Sequence, residues 1–193
     1  MTDAAAPLKR AALVYNPIKV DALVLRASVE RLSTDAGWGE PHFYETTVED
    51  LGQGPTRQAI AEGASAVLVA GGDGTVRAVA EAMTGTGVPL TIVPSGTGNL
   101  LARNVNLPLT DPEAMIRATF EGDIHPMDVG MAHVTRTDGT DEEHGFVVMA
   151  ARRALSAASA LSTRSDDSPR DSCERLTSSG FSRRSTGSIT RQS

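Results

Sequence analysis

Apolar positions recur in short blocks along the first 150 residues, with two different periods. Residues 11–15 (AALVY) are continuously apolar and stop at Asn16-Pro17, the pattern of a strand buried on both faces. From 21 to 35 the apolar groups fall at Leu25, Val29 and Leu32, a helical stripe ended by Gly37. A short strand is expected at 42–46 and a short helix at 55–62, stopped by Gly63. Residues 66–70 (AVLVA) form a second fully apolar strand, followed by Gly71-Gly72-Asp73-Gly74-Thr75 and a helix through Met83. Residues 90–93 form a third, followed by Pro94-Ser95-Gly96-Thr97-Gly98 and a helix from Asn99. A helix over 111–121 carries Pro112 in its first turn, where the missing N–H costs nothing. Two alternating stretches, 127–134 and 145–149, flank the turn signal Asp138-Gly139. Strand–helix alternation predicts an α/β domain: a mainly parallel open sheet with helices on both faces, ending in an antiparallel hairpin.

Composition changes this picture at one place. The formal charge of −6 is an average over two unlike parts. Residues 1–150 hold 10 Lys and Arg against 20 Asp and Glu, whereas residues 151–193 hold 8 Arg, 4 acids and 12 Ser. The second part has only Leu155, Leu161, Leu176, Phe181 and Ile189 as large aliphatic or aromatic groups. So few apolar groups do not offset a backbone ordering cost of about 1–2 kcal/mol per residue. Residues 151–193 are therefore expected to be a disordered Ser/Arg-rich tail, with at most a short Ala-rich helix at 151–161. An RNA-binding or phosphorylated arm is the weaker alternative, since Phe181 alone interrupts the Arg and Ser with an aromatic ring. The acidic balance argues against general nucleic-acid affinity. The single cysteine, Cys173, excludes an intrachain disulfide and a Cys-based zinc site, and His42, His125, His133 and His144 lack helical metal spacing. No metal site built from protein ligands is expected. No apolar run approaches the roughly 20 residues of a membrane span. Residues 1–10 do not read as a signal peptide, so a cytoplasmic protein is expected.

The chemistry is expected in the loops after the apolar strands. In an open parallel sheet, ligands sit outside the carboxyl ends of the strands. Glycines there let backbone N–H groups approach an anion, and the following helix N-terminus adds a favourable dipole. Gly71-Gly72-Asp73-Gly74-Thr75 thus reads as a phosphate-gripping turn, and Ser95-Gly96-Thr97-Gly98-Asn99 adds hydroxyls, an amide and more glycine. The plain alternative for each is a tight strand-to-helix turn. General nucleotide fingerprints fail: Arg77 stands where a dinucleotide motif has its third glycine, and no Gly-Lys-Ser/Thr P-loop occurs.

The ordered pair GGDGT (71–75) and PSGTGN (94–99) resembles the catalytic domain of the diacylglycerol kinase family, which includes bacterial lipid kinases and sphingosine kinases. Tyr15-Asn16-Pro17 is similar to the family's first motif, Thr46-Thr47 to its adenine-side threonine, and residues 99–103 (NLLAR) to its continuation. The resemblance covers roughly residues 9–150 and implies phosphoryl transfer from ATP, with Mg2+, to a lipid hydroxyl such as that of diacylglycerol. It implies an acceptor met at the membrane surface, and so a protein peripheral to the membrane. By position, Gly71, Gly72, Gly74 and Thr75 would hold ATP phosphates, and Asn16, Pro17 and Thr46 or Thr47 would lie near the nucleoside. Ser95, Gly96, Thr97, Gly98 and Asn99 would close the nucleotide site. Asp73 is the catalytic candidate, through a water on Mg2+ or by orienting the reacting hydroxyl; its plain alternative is a helix-capping Asp.

The chain departs from the family in three places. Val76-Arg77-Ala78 follow GGDGT in place of an apolar residue and Asn-Glu, leaving Arg77 either reaching a phosphate or solvated. Ile18-Lys19-Val20 follow Asn-Pro in place of Ser-Gly, so Lys19 stands where backbone contacts are usual. After Ala150, where the family continues into a Gly-rich stretch and a β-rich second domain, the chain has Ala151-Arg152-Arg153-Ala154. The expectation is therefore a nucleotide-binding domain over 1–150 of a lipid kinase truncated or frame-shifted after about residue 150, inactive on lipid as it stands. The alternatives are a non-catalytic nucleotide-binding fragment and a relative of the NAD kinases.

Overall fold

The computed structural model describes residues 8–95, 98–135, 140–146 and 182–191, and side chains within these except at 128–135, 142–146 and 182–191. Its elements in chain order are β1 (Ala11–Tyr15), α1 (Ala22–Asp35), β2 (His42–Glu45), α2 (Gln53–Ala61), β3 (Ala66–Gly71), α3 (Asp73–Met83), β4 (Pro89–Pro94), α4 (Leu100–Asn104), α5 (Pro112–Glu121), β5 (Asp123–Thr135), β6 (Asp141–Phe146) and β7 (Ser182–Arg191). The strands form one sheet in the order β2-β1-β3-β4-β7-β5-β6. Pairing is parallel from β2 through β4, as the continuous apolar runs predict. β1 and β3 are buried along their whole length because helices cover both faces.

Alternate strand residues feed two cores. Ala12, Val14, Val67, Val69, Leu90 and Ile92 pack against Ala59 of α2, Val76 and Val79 of α3 and Leu101 of α4. Leu13, Tyr15, Leu68 and Val93 pack against Leu25, Val29 and Leu32 of α1 and Ile116 of α5. Each fully buried aliphatic side chain of this kind stabilises the fold by about 1.5–3 kcal/mol. Asp21 caps α1 by accepting from the Val24 N–H at 3.1 Å, and Asp111 caps α5 by accepting from the Ala114 N–H at 2.9 Å. At the amino edge of the sheet, the only tryptophan, Trp38, meets Phe120 edge-on at 5.1 Å, with Lys9 Nζ 5.6 Å from its ring.

The strand order contains the feature that positions the site. From β1 the chain passes to β2 on one side, then returns to place β3 on the other. α1 covers one face of the sheet and α3 the opposite face. The loops leaving β1 and β3 therefore diverge, opening a crevice at their carboxyl ends, the topological switch point where open α/β sheets take ligands.

The antiparallel end differs in detail from the sequence pattern. β5 and β6 pair as the hairpin predicts, but β6 begins earlier than the expected 145–149, in the polar residues from Asp141, and runs to Phe146. The turn residues 136–139, and 147–149, lie outside the described residues. The sequence reading leaves no strand in the expected tail, yet Ser182–Arg191 runs as β7 between β4 and β5. A strand in that position is held by main-chain hydrogen bonds to a neighbour on each side, which need no apolar side chain. Residues 151–181 and 192–193 of that segment lie outside the described residues.

Candidate functional site

Four loops, those after β1, β2, β3 and β4, meet at the carboxyl edge. After β1, the Asn16 N–H donates to Ala70 O at 2.9 Å, tying this loop to the end of β3 across the switch point. The Asn16 side chain turns inward on its own loop: Oδ1 accepts from the Ile18 N–H at 3.0 Å, while its carbonyl accepts from the Lys19 N–H. Pro17 and Lys19 are thus held in a turn, and Lys19 contributes a backbone contact to it. Lys19 also lines a cleft of about 360 Å3, with Asp21, Ser28 of α1, Ser95, and Pro112 and Glu113 of α5.

After β2, the two threonines separate in role. The Thr46 N–H donates to Tyr15 O at 2.9 Å, and the side chain is buried with its hydroxyl lacking a hydrogen-bond partner. Buried polar groups are ordinarily paired, so an orphaned hydroxyl at a ligand edge calls for a partner. Thr47 is exposed, and its hydroxyl accepts from the Asp50 N–H at 3.0 Å. Asp50, which the sequence reading passes over, accepts from the N–H groups of Gly52 at 2.9 Å and Gly54 at 3.0 Å, ordering the entry to α2. An acid two and four residues ahead of glycines is the signal that would have found it. Gly52 has φ of 136° and lies so close to Val79 that a Cβ would meet its Cγ2 at 2.9 Å.

After β3, the first glycine loop opens α3 without a side-chain cap: Gly72 is the N-cap, in extended backbone at φ −80°. Gly71 is tight, since a Cβ there would meet the Thr75 Cβ at 2.9 Å, while Thr75 itself is buried. Gly72 is the opposite case, with nothing within 4 Å of where a Cβ would stand. Gly74 is exposed, with Leu51 the nearest neighbour to an added Cβ at 3.9 Å. The backbone here is thus bare on its outer side, and a helix first turn lacks intrahelical acceptors for its N–H groups. Arg77 points along α3 to Glu81 at 3.4 Å on the exposed face, which accords with its solvated reading.

After β4, Ser95 Oγ donates to Val93 O at 3.0 Å, and the Ser95 N–H donates to Asn99 Oδ1 at 3.4 Å. Asn99 is buried in left-handed backbone (φ 46°, ψ 47°) ahead of α4. Gly96 and Thr97 lie outside the described residues. Gly98 is flanked by two charged side chains: Arg103 Nε donates to its carbonyl at 2.9 Å, and a Cβ on it would run into the Asp73 carboxylate. Asp73 Oδ1 accepts from the Leu100 N–H at 2.7 Å, joining the two glycine loops directly. Arg103 is a second residue the sequence reading does not single out, for its partner is a backbone carbonyl that no side-chain motif reveals.

The structure brings Asn16, Pro17, Thr46, Gly71, Gly72, Asp73, Gly74, Thr75, Ser95, Gly98 and Asn99 to one edge, with Thr47 just outside. A larger hollow of about 450 Å3 lies elsewhere, at the β2 edge, lined by Tyr15, Arg26, His42, Tyr44, Glu45 and Glu62.

Comparison with known proteins gives the family. The chain is 42% identical over 72 residues to a diacylglycerol kinase of Mycobacterium tuberculosis, a match over 37% of this chain and 23% of that protein. It is 33% identical over 130 residues to the Cronobacter sakazakii protein named "Probable lipid kinase YegS-like", over 63% of this chain and 40% of that one. The crystal structure of a diacylglycerol kinase from Bacillus anthracis superposes with a TM-score of 0.54 at 20% identity, covering 70% of this chain and 45% of that one, a likeness of fold. The chain spans about a quarter to two-fifths of the length of these curated relatives. Residues 10–132 match the diacylglycerol kinase catalytic domain, and the chain belongs to that family.

Proposed function

We propose that this edge is the nucleotide side of a lipid kinase site, holding ATP for transfer of its γ-phosphoryl group to a lipid hydroxyl such as that of diacylglycerol. The observation that carries the reading is the switch-point crevice with the open backbone of Gly72 at its floor. Gly71, Gly72, Gly74 and Thr75 receive the phosphates, through backbone N–H groups and the N-terminal end of α3. Asn16 and Pro17 border the nucleoside, and the orphaned Thr46 hydroxyl supplies a polar contact to it. Ser95, Gly98 and Asn99 close the site from the β4 side, together with Gly96 and Thr97. Mg2+, bound with the phosphates, would neutralise charge on their oxygens. In the reaction the lipid oxygen bonds to the γ-phosphorus, the bond to the bridging oxygen of ADP breaks, and the hydroxyl proton passes to solvent water. What these residues contribute is placement, which is most of catalysis in phosphoryl transfer. Among the described residues no helix is long and apolar enough to cross a membrane.

Isothermal titration with ATP and Mg2+ tests the reading. Gly72→Val suits the extended backbone and empty surroundings of that residue, so circular dichroism should be unchanged. ATP affinity should fall by about tenfold or more, because the side chain fills the space a phosphate needs. Unchanged affinity would overturn the assignment. Radiolabelled ATP offered with diacylglycerol micelles, and separately with NAD, tests the acceptor: this chain is expected to leave the lipid unlabelled, and label on NAD would favour the NAD kinase alternative.

A further inference from the structure

We propose that Asp73 is a positioning residue, a strut that fixes the second glycine loop against the first, and that it needs an oxygen acceptor there more than a charge. The inference rests on the nucleotide-site reading for its consequence and on geometry alone for its premise.

Asp73 is the first residue of α3, and its Oδ1 accepts from the N–H of Leu100, the first residue of α4. That N–H is one of the donors a helix start leaves without an internal partner. Asn99, at the N-cap, does not cap α4 with its own side chain; its Oδ1 faces back to the Ser95 N–H instead. The cap of α4 therefore comes from a residue 27 positions earlier, on another strand's loop.

Gly98 shows how close the approach is, since a Cβ at this position would collide with the second carboxylate oxygen of Asp73. On the far side, Arg103 Nε holds the Gly98 carbonyl. The segment from Gly98 to Leu100 is gripped from both sides, and the Asp73 contact is the one that reaches across to the phosphate turn. A carboxylate beside a triphosphate is electrostatically unfavourable by itself. Used as an acceptor for a backbone N–H, it becomes part of the scaffold, and an amide oxygen would do as well.

Amide hydrogen exchange of Leu100, followed by NMR in the full chain, reads the strut without any ligand. Asp73→Asn keeps the acceptor and should leave Leu100 protection near the parent value. Asp73→Ala should speed its exchange by about tenfold, the equivalent of one lost hydrogen bond to a charged group. Gly98→Ala keeps the carboxylate but displaces it, and should expose Leu100 similarly. ATP titration should follow the same order, with Asn equal to or tighter than the parent and Ala weaker. Parental protection of Leu100 in Asp73→Ala would overturn the strut. So would Asp73→Asn falling with Asp73→Ala in Mg2+-dependent ATP binding, the pattern of a metal-linked or catalytic carboxylate. A parent chain that binds no ATP would sink the nucleotide reading, while Leu100 exchange would still decide the strut.

Discussion

Thr46 shows how stability and binding separate at a single residue. Its hydroxyl is buried just past the end of β2 without a hydrogen-bond partner, so in the free protein it contributes a desolvation cost. Thr46→Val removes the hydroxyl and keeps the shape. Thermal unfolding should be unchanged or shifted upward, by the equivalent of about 1 kcal/mol at most. ATP titration should show weaker binding, because the ligand loses a partner. A variant as tight as the parent would detach Thr46 from the nucleotide. The threonine pair was visible in the sequence, but its division of labour was not: Thr47 is committed to its own turn through Asp50, a contact that depends on the local path of the backbone. Asp73 was likewise visible as a candidate, whereas its tie to the Leu100 N–H was not, because that donor is main chain and lies in another loop.

Among the elements, strands β1, β3 and β4 were the most legible, since burial on both faces demands unbroken apolar runs. β2 was less so, and its Tyr44 belongs to a set of shifted titrations shared with Tyr15 of β1 and Glu62 after α2. The Tyr44 hydroxyl donates to Glu62 Oε2 at 2.7 Å and the Tyr15 hydroxyl to Glu45 Oε1 at 2.7 Å. Burial first, and the neighbouring carboxylate second, push both phenols above their ordinary value near 10. The Tyr44 hydroxyl in turn, with smaller help from Gln58 and His42, holds Glu62 below the usual carboxylate range. Raised phenol pKa values mean stability that is complete below about pH 10 and lost as pH climbs through the folded values. The lowered Glu62 works the other way, contributing above its ordinary pKa near 4.5 and fading as pH falls through the folded value. With only two tyrosines in the chain, absorbance titration of the folded protein should show no phenolate step at pH 10. Glu62→Gln should bring one of the two steps part of the way down, leaving the burial component. A normal step at pH 10 in the folded parent would contradict the packing of β2.

For the molecule as a whole, the sheet has a strong half and a loosely joined one. The parallel strands β2, β1, β3 and β4 pair along most of their lengths. β7 meets β4 only at Pro89–Ser188 and Leu90–Ile189, but follows β5 from Asp123 to Met131. The β5–β6–β7 block should therefore open as a unit, with its amides exchanging together and well ahead of those of β1, β3 and β4. Uniform exchange across the sheet would show one cooperative unit instead. This junction was also the least legible part of the fold. Residues 182–191 are polar and Arg-rich, and a strand fixed by its two neighbours leaves little trace in hydrophobic periodicity.

The placement of Trp38 has a practical consequence for following ligand binding and unfolding by fluorescence. Its indole packs against Phe120 and under Lys9 at the amino edge, at the far end of the strands from the glycine loops. As the chain's single tryptophan it is a fluorophore with one address. Its emission should stay constant while ATP titrates the opposite edge, and should shift to the red only when α1 and α5 part from the sheet. Intrinsic fluorescence will therefore follow denaturation of the parallel core and remain blind to ligand, so occupancy has to be followed with a labelled nucleotide or by heat.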